Sequence, residues 1–594
     1  MNSAQIFYQQ KAEEYSIQLK AVSANLRRFA WFRFFAFLLI PAPALIFGLK
    51  SPLTFVVGAA ALVLFLFLVK KNIQVEKRKK ETAILKKLCE DELLALKHKY
   101  SHFKNGIEYT DPDHFYAYDL DLFGEGSLFQ YLNRTVTVDG EMLLAKILVH
   151  PPFEKEEINE RQQAIKELAQ NPGWRLHFRA TGLMFEESKE LNLEIRAWTK
   201  TTLNLEKAGI INHLLWLIPL LTMVAAIPAI LGISKLFLWV TIIIQWSLIL
   251  FFSKQISFYF RYFGRKSALL EKYMALLEYI GKGDFKSEKL LQMKHSVIHP
   301  KPAGKTFSEL KNWVNRFEYR QNIIVAFLLN SLLLWDIRCM FHLWRWHQQH
   351  HGEIAGWLDA IAAFDELITF GGFAGNHPGF VYPEVANDNF IFRAEQLGHP
   401  LLPQNKRVGN DFTVAGWSKA VIITGANMAG KSTFLRTVGI NLILAETGAP
   451  VCAQCMVFTP VQLFTNMRTT DSLQKEESYF FAELKRIKRV LELLENGMPV
   501  FVILDEMLKG TNSLDKLNGS KELVKKLLQL PAVSFIATHD LKLSEMEVNF
   551  PEQVSNLCFE IKIESNEMVF DYKLSDGVTQ TMNATFLMRK MGII

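Results

Sequence analysis

Four long stretches without a charged side chain limit what this chain can fold into more than any other feature. They run over residues 34–49, 52–69, 210–231 and 236–252. A helix that crosses a bilayer needs about 20 mainly apolar residues, and all four runs lie in or near that range. Because the runs form two pairs with short turns between them, we predict two transmembrane helical hairpins, over residues 34–69 and 210–252.

Basic residues around the hairpins predict their orientation. They are frequent before and after each hairpin, whereas the two turns contain one lysine each, Lys50 and Lys235. Cytoplasmic loops are enriched in Lys and Arg, so both termini and every large segment are expected in the cytoplasm. The predicted location is the inner (cytoplasmic) membrane, as a multi-pass protein. The basic run Lys77-Arg78-Lys79-Lys80 favours membrane lipid as its partner, with DNA as the alternative.

The alternative to membrane spans is a pair of helical hairpins inside a large soluble core. Pro41 and Pro43 weaken the first run, and Gln245 makes the last run less apolar. The 594 residues suffice for such a core, and 49% hydrophobic with 21% charged residues excludes wholesale disorder. The net charge of +7 does not by itself indicate nucleic acid, because much of the clustered basic charge lies beside the predicted spans.

A phosphate-binding loop follows the apolar run 421–424, which is typical of a buried strand, and precedes a helical pattern. The predicted nucleotide-binding residues are Gly425, Asn427, Met428, Ala429, Gly430, Lys431, Ser432 and Thr433. Glycines let backbone amides surround the phosphates, the catalytic Lys431 would reach the β- and γ-phosphates, and the Ser432 hydroxyl would ligate Mg²⁺. ATP and Mg²⁺ are the predicted cofactors.

Two further strands end in polar residues suited to phosphoryl transfer. The run 500–504 ends at Asp505-Glu506, and the run 533–537 is followed closely by His539. If both runs are strands of one parallel sheet, their carboxyl ends lie beside the phosphate loop. Asp505 would hold Mg²⁺, Glu506 would orient or deprotonate the attacking water, and His539 would bind the γ-phosphate. Taken alone, such a histidine would be structural.

In this form the motifs resemble the MutS family of DNA mismatch repair ATPases, whose nucleotide domain is of the ABC type. Further matches are Gly398 to Leu402, Asp471 with Leu473, Ser478 to Glu483, Lys509 to Asp515 and, more weakly, Leu128 to Gln162. The resemblance implies ATP hydrolysis in a homodimer with two composite sites. It implies that the catalytic Ser478 reaches the partner's γ-phosphate and that Asn512 to Asp515 line the same interface. It also implies DNA as a partner.

The chain departs from the family in ways that put DNA recognition in doubt. No mismatch-reading domain is visible before the core, and Phe185-Glu186-Glu187, which has the Phe-x-Glu pattern of the family's wedge, lies in a later helical stretch. The second hairpin falls where the family inserts its DNA clamp. Glu476 and Glu477 add negative charge before Ser478, which can slow hydrolysis. Arg407 stands where an aromatic residue commonly stacks on the adenine.

Two other clusters contain residue types that can bind a metal. His347 and His351 share a helix face in a segment that also has His342 and His350, but no acidic or cysteine ligand nearby completes a set. For the histidines, a solvated or interfacial lever helix is the favoured interpretation over metal. For Phe341, Trp344 and Trp346, which are interleaved with Arg345, a packed lever seam is favoured over single-stranded nucleic acid. The Cys452-x-x-Cys455 pair has no second pair, so ordinary buried thiols in a reducing compartment are expected.

The predicted fold is an α/β P-loop ATPase domain, C-terminal to a mostly α-helical core with two transmembrane hairpins. The predicted segments are a cytoplasmic helix (1–33), hairpin 1 (34–69), a basic juxtamembrane helix (70–118), the first core part (119–209), hairpin 2 (210–252), the helical lever or second core part (253–395) and the ATPase domain (396–594). The predicted function is ATP hydrolysis at a dimer interface with DNA, in mismatch repair or a related transaction. The alternatives are a membrane mechanoenzyme and a nucleotide-gated scaffold, acting on lipid or a protein partner without DNA.

Overall fold

The structure, a computed structural model, is mostly helical, with two β-sheets in its C-terminal part. It describes residues 3–48, 51–198, 200–201, 203–205, 208–264, 266–387, 389–468, 479–508, 512–564, 567–580 and 593. The helices before the sheets are α1 (Ser3–Leu38), α2 (Ala42–Phe47), α3 (Pro52–Ala95), α4 (Leu128–Leu132), α5 (Val138–Val149), α6 (Lys155–Gln170), α7 (Pro172–Leu183), α8 (Lys189–Trp198), α9 (Ala208–Ile230), α10 (Leu236–Phe251), α11 (Ser253–Phe263), α12 (Ser267–Lys282), α13 (Glu288–Ile298), α14 (Ala303–Glu318), α15 (Ile323–Leu333) and α16 (Trp335–Asn376).

The C-terminal part alternates strands and helices. Its elements are β1 (Glu384–Val385), β2 (Ile391–Leu397), β3 (Asn410–Ala415), β4 (Lys419–Gly425), α17 (Lys431–Glu446), β5 (Cys455–Phe458), β6 (Gln462–Asn466), α18 (Tyr479–Glu495), β7 (Val500–Asp505), α19 (Ser513–Leu528), β8 (Ala532–Thr538), α20 (Met546–Asn549), β9 (Val554–Glu564) and β10 (Glu567–Asp576). One sheet has the order β10-β9-β4-β8-β7-β6 and is parallel except at β10. The other has the order β1-β5-β2-β3.

The three strands predicted from apolar runs are adjacent in the larger sheet. β4 pairs with β8 and β8 with β7, all parallel, as expected for strands covered on both faces. Every residue of β8 is buried, as is every residue of β7 before Asp505. The prediction of a parallel sheet that carries the motifs at one edge is confirmed.

The α/β part begins earlier than the predicted boundary at residue 396. β1 and β2 lie in the segment predicted as helical lever, yet they pair with β5 and β3 in the smaller sheet. In β2 the first four residues alternate between less and more buried positions, the period of a half-covered strand. This short stretch was too brief to distinguish from a helix in the sequence.

The first apolar pair forms two long helices that extend well beyond the predicted hairpin. α1 and α3 pack side by side, and apolar residues such as Leu45 of the short α2 and Phe55 and Val56 of α3 are exposed. Because α3 continues from the apolar run into the basic segment, that segment is helical as predicted, but only to Ala95. Turns and a short 3₁₀ helix, Ile107–Tyr109, occupy the rest of the predicted helix 70–118.

The helix ends of this pair pack on the helical core. Glu92 of α3 is buried and accepts hydrogen bonds from Arg134, Arg179 and Asn376. The two arginines hold the pKa of the Glu92 carboxyl at about 2, against the effect of burial. The buried carboxylate therefore stays charged, and it joins α3 to the segments that surround α16.

By length and composition, three helical stretches in the described part of the chain are able to cross a membrane: Ser3–Phe47, Pro52–Ala95 and Ala208–Ile230. Two bent pairs raise the number to five if each pair is one span, α10 with α11 (63° bend) and α15 with α16 (80° bend). α15 is apolar as well, but its 11 residues are fewer than a membrane span needs, so its sequence does not stand out as a span.

The basic run predicted to contact lipid is partly engaged by protein. Lys77 pairs with Glu271 at 3.0 Å and lies over the ring of Phe185, and Lys80 donates to the carbonyl of Met184 at 2.7 Å. Any lipid contact of this run therefore depends chiefly on Arg78 and Lys79.

Candidate nucleotide site

The loop between β4 and α17 has the backbone conformations that a phosphate-binding loop needs. Gly425 and Gly430 have φ angles of 153° and 108°, and a Cβ at either position would come within 3.0 Å of a neighbouring atom. Met428 also has a positive φ of 66°, and its side chain is 79% exposed. The loop therefore turns tightly enough to present backbone amides at the start of α17, where the helix dipole favours anions.

Lys431, the first residue of α17, lies at the centre of this site. Its side chain is buried, and Nζ donates to the carbonyls of Gly425 at 2.6 Å and Ala426 at 3.0 Å. Burial lowers the pKa of Lys431, while the nearby carboxylates of Asp505 and Glu506 act against that shift. The loop carbonyls hold the ammonium close to where phosphate would bind.

The predicted acidic residues and histidine converge on this lysine. His539 Nε2 lies 3.3 Å from Lys431 Nζ and 3.0 Å from Glu506 Oε1. β7 and β8 create this proximity, because Asp505 is opposite Ala537 in the register and the Glu506 amide donates to the Ala537 carbonyl. Glu506 has a φ of 57°, so the chain turns sharply after β7 and aims this carboxylate at the loop. Lys516 lies 4.0 Å from its other oxygen.

A cavity of about 840 Å³ opens over these residues. Most of the predicted nucleotide-site residues line it, namely Asn427, Met428, Gly430, Lys431, Ser432, Thr433, Asp505, Glu506 and His539. Gly425 and Ala429 do not line it. They shape the loop from behind, Gly425 against Phe559 and Ala429 as a buried residue. The volume suits a nucleotide-sized ligand.

The cavity is also lined by residues outside the predicted nucleotide-binding motif. Tyr572 on β10 approaches the loop at Gly430, and its backbone carbonyl accepts from Asn410 at 3.1 Å. His399 also lines the cavity, and burial beside Arg436 and Arg407 lowers its pKa to about 4, so the imidazole is neutral. A tyrosine on a C-terminal strand has no local motif, and only the sheet order brings it here.

Arg407 lines the cavity too, where an aromatic residue was expected from the family. Its guanidinium donates to the carbonyls of Pro400 and Leu402 at 3.3 and 2.7 Å and lies over the ring of Phe380. Arg407 thus serves to hold the 399–407 segment, while its charge remains next to the cavity.

The residues predicted at the dimer interface are only partly described. Ser478 and the rest of segment 469–478 lie outside the described residues, as do Lys509, Gly510 and Thr511. Asn512 is described as the N-cap of α19, where its side chain accepts from the amide of Asp515. Both residues are at the surface.

The histidines of α16 contact different protein groups. His347 is fully buried and bonds to the Trp198 carbonyl, His350 pairs with Glu353, and His342 stacks on Trp313 at 3.9 Å. Within the described residues, no group of three or more His, Cys, Asp or Glu side chains is arranged to hold a metal. Phe341 and Trp346 are buried, as a packed lever seam predicts, and His347 and His350 are buried too rather than solvated.

The Phe-x-Glu match belongs to the packed core. Glu187 is buried against Lys272 at 2.8 Å and accepts from the hydroxyl of Tyr273 at 2.7 Å. Glu187 therefore stabilises the junction between α7, α8 and α12 and is unavailable to read a base. The expected position inside a helix is wrong, because residues 185–187 lie in the connection between α7 and α8.

Comparison with known proteins agrees with this arrangement. A family model for MutS domain V matches residues 421–587, and one for MutS domain III matches residues 116–205. The human protein "MutS protein homolog 4" is 31% identical over 275 residues, which cover 45% of this chain and 27% of that protein. "DNA mismatch repair protein MutS" of Thermotoga petrophila is 34% identical over 184 residues, 30% of this chain and 23% of that protein.

The helical core followed by a mixed α/β part is the architecture of MutS domains. The chain belongs to the MutS family. Its matches span less than a third of the length of these curated relatives, and "DNA mismatch repair protein MutS" of Fusobacterium nucleatum is similarly covered, over 29% of its length. Both hydrophobic segments 34–69 and 210–252 lie outside the two regions that the family models match.

Proposed function

We propose that this protein is a membrane-anchored, Mg²⁺-dependent ATPase. The observation that carries the proposal is the convergence of Lys431, Glu506 and His539, from three different elements, on one cavity that Ser432 and Asp505 also line. Phosphoryl transfer needs positive charge beside the phosphates and a group that orients the attacking water. The cation, the carboxylate and the histidine next to the glycine-bounded loop at the start of α17 supply these groups. The membership in the MutS family supports it, because the family's proteins are ATPases.

Each residue has a role in this proposal. Lys431 binds the β- and γ-phosphates, and the loop amides complete the phosphate cradle. Ser432 and Asp505 hold Mg²⁺, which when bound neutralises charge on the phosphates. Glu506 orients the attacking water and accepts its proton, and His539, which bonds Glu506, positions that carboxylate and contacts the γ-phosphate.

The nucleotide site would be shared between two copies of the chain. By the resemblance to the MutS family, Ser478 would reach across the dimer interface to the partner's γ-phosphate. Asn512 and Asp515 would lie along the same interface. The exposed position of Asn512 and Asp515 supports a homodimer that closes through the ATPase parts. The acidic Glu476 and Glu477 would slow hydrolysis and favour a long-lived closed state.

The membrane anchoring is supported by an inverted pattern of polarity in α9, α10 and α15. Thr222, Gln245 and Ser331 are buried between these helices, where Gln245 Nε2 donates to Thr222 Oγ1 at 2.7 Å and to the Ser331 carbonyl at 2.9 Å. Outward, the same helices expose large apolar side chains such as Trp216 (72%) and Ile323 (85%). This arrangement suits lipid and would be unfavourable in water.

The proposed topology places both termini and the ATPase part in the cytoplasm, with the spans in the inner membrane. The distribution of Lys and Arg in the flanking segments supports it. α15 would enter the cytoplasmic leaflet without crossing, because it is about 16 Å long and both of its neighbours, α14 and α16, pack in the helical core.

DNA is the proposed partner, in mismatch repair or a related transaction. The support is the family and the names of the relatives, "DNA mismatch repair protein MutS" among them. Within this proposal the protein engages generic or branched duplex, because the Phe-x-Glu match at residues 185–187 is packed in the core through Glu187.

A second candidate, a mechanoenzyme that acts on the membrane, is favoured by one continuous set of contacts. Arg161 donates to the Thr447 carbonyl, just after α17, at 2.7 Å and pairs with the buried Glu366 of α16. α16, which has 42 residues and is roughly 60 Å long in all, leads from Glu366 back to its start beside α15. There the amide of Asp336 donates to Asn330 of α15 at 2.9 Å. Movement of the phosphate-binding helix would thus reach the lipid-facing helix directly.

ATP turnover by the full-length protein in nanodiscs tests the two candidates together. Wild type and the Glu506→Gln variant are measured without DNA and with homoduplex, mismatched and branched DNA. Stimulation by DNA that is lost in Glu506→Gln supports DNA handling, and the best substrate identifies the task. Turnover that no DNA changes but that responds to lipid composition supports the mechanoenzyme. Equal turnover by wild type and variant contradicts the proposed site.

A further inference from the structure

A second cavity, of about 310 Å³, lies at the foot of the hydrophobic bundle. Ser257, Phe260 and Arg261 of α11 line one side, and Arg320 and Gln321 line the other. α11 begins two residues after the apolar α10 and bends 63° away from it, while Gln321 stands two residues before the apolar α15. The cavity therefore lies at the level where two chain segments leave the apolar region.

The charge of this cavity is positive. Two arginines line it, and none of the described residues that line it is acidic. The exposed face of α11 adds Lys254, three residues before Ser257 and therefore on the same side of the helix. Ser257 and Gln321 supply a hydroxyl and an amide as further hydrogen-bond donors.

Arg320 is held in place, yet part of its guanidinium has no acceptor. Its plane lies over the rings of Phe260 and Phe317, at 4.9 and 5.6 Å, and its Nε is 3.6 Å from an Asp336 carboxylate oxygen. Its Nη1 atom is buried and has no hydrogen-bond partner within the described part of the chain. A buried donor without an acceptor is costly, and a bound anion would satisfy it.

The surface next to the cavity is apolar. α15 exposes Ile323 (85%), Ile324 (72%), Phe327 (51%) and Leu328 (54%) along one face. Its polar residues are buried, Ser331 against Gln245 and Trp246 of α10 and Asn330 against Asp336 of α16. A ligand that fits both features must have a negatively charged head and hydrocarbon chains. A phosphate group suits two guanidinium groups, and acyl chains suit the face of α15.

We propose that this cavity binds the phosphate headgroup of an anionic phospholipid of the cytoplasmic leaflet, between Arg261 and Arg320, with the acyl chains along the exposed face of α15. The inference rests on the proposed membrane anchoring and extends it from general insertion to a defined lipid site. Arg320 also lies 3.6 Å from Asp336 near the start of α16, so the site is one residue away from the helix that leads to the ATPase part.

The test uses full-length protein in phosphatidylcholine vesicles that contain a trace of spin-labelled phosphatidylglycerol or spin-labelled phosphatidylcholine. Electron paramagnetic resonance gives the fraction of each label that the protein immobilises. We expect a preference for phosphatidylglycerol in the wild type and a loss of roughly fivefold in that preference in Arg261→Gln and in Arg320→Gln. Arg261 is exposed, so its variant tests the site even if Arg320→Gln fails to fold.

Lys235→Gln is the matched control, because Lys235 begins α10 at the opposite end of the same hairpin. An equal loss of preference in this variant would show a general charge effect and overturn the site. Inorganic phosphate, added in place of chloride at constant ionic strength, separates lipid from free anion. If it abolishes the preference of the wild type, the cavity is a phosphate site and the lipid assignment is wrong.

Alkaline extraction of the same vesicles distinguishes this inference from the proposed function. If the wild type leaves the vesicles, the membrane anchoring itself is contradicted. If it is retained but immobilises both lipids equally, anchoring stands and the lipid site is contradicted.

Discussion

The sheet that carries the nucleotide site and the bundle of α9, α10 and α15 place polar and apolar side chains in opposite ways. β7 and β8 bury their apolar residues and end in polar residues at the open edge of the sheet. The bundle buries Thr222, Gln245 and Ser331 and exposes its apolar residues. Both regions obey one rule, that side chains match their surroundings. The difference is the one that the proposed membrane anchoring predicts, with water around the sheet and lipid around the bundle.

The largest expected effect is on catalysis. Glu506→Gln keeps the size of the side chain but removes the carboxylate that faces His539 and Lys431, so ATP turnover should fall by roughly 10²- to 10⁴-fold. ATP binding, measured by equilibrium dialysis, should persist, because Lys431 and the loop are unchanged. Lys431→Met should instead lose binding. If Glu506→Gln retains normal turnover, the carboxyl ends of β7 and β8 are not the catalytic site.

A buried carboxyl in the nucleotide region gives the next effect. Glu446, at the end of α17, is fully buried and accepts from the Val461 amide, and burial raises its pKa to about 8 from an ordinary value near 4.5. The folded state therefore holds this proton more tightly, so its contribution to stability is present below about pH 4.5 and is lost as the pH rises to about 8.

Each pH unit in that window changes the contribution of Glu446 by about 1.4 kcal/mol. Thermal unfolding between pH 5 and 8 should therefore show a melting temperature that decreases with pH in the wild type and a weaker dependence in Glu446→Gln. Identical pH profiles for the two proteins would show that Glu446 does not titrate in this range.

A charge placed on the exposed apolar surface of α9 tests most directly whether lipid surrounds the bundle of α9, α10 and α15. Met223 lies near the middle of α9 and is 63% exposed, and Ile107, on the surface of the helical core, is 65% exposed. Met223→Lys should cost roughly 2.5–3.5 kcal/mol in a bilayer. Ile107→Lys should change stability by about 0.5 kcal/mol or less, as an ordinary surface substitution does.

Unfolding in nanodiscs, followed by tryptophan fluorescence, measures both lysine variants. Two equally mild effects would mean that α9 faces water, and the buried-hairpin alternative would then replace the membrane spans.

The smallest effect concerns the polar contacts inside the bundle. Gln245→Leu removes hydrogen bonds to Thr222 and the Ser331 carbonyl, which in membrane proteins contribute on average about 0.6 kcal/mol and at most about 1.7. Ile244→Leu, on the neighbouring exposed position, should have no measurable effect. A loss of several kcal/mol in Gln245→Leu would indicate a water-surrounded core in which the unpaired groups cannot find new partners.

Local sequence patterns were sufficient to predict much of the nucleotide site. The glycine-bounded loop, the apolar strands and Asp505-Glu506 each depend on neighbours in the chain, and the sheet brought them together as predicted. The role of Tyr572 could not be predicted, because it reaches the loop only through β10, at the opposite edge of the sheet from β6. The same holds for Lys77 and Lys80, whose partners lie 194 and 104 residues away.

By itself the sequence determined the phosphate-binding motif, the parallel strands that carry it, the apolar runs and the resemblance to the MutS family, because these depend on residue type and short spacing. The tertiary fold adds the exposed apolar face of α15, the cavity between Arg261 and Arg320, and the contacts of Arg161 with Glu366 of α16 and with Thr447 just after α17. Those features arise where segments distant in the chain pack together, and pairing across such distances leaves no periodic signal in a single sequence.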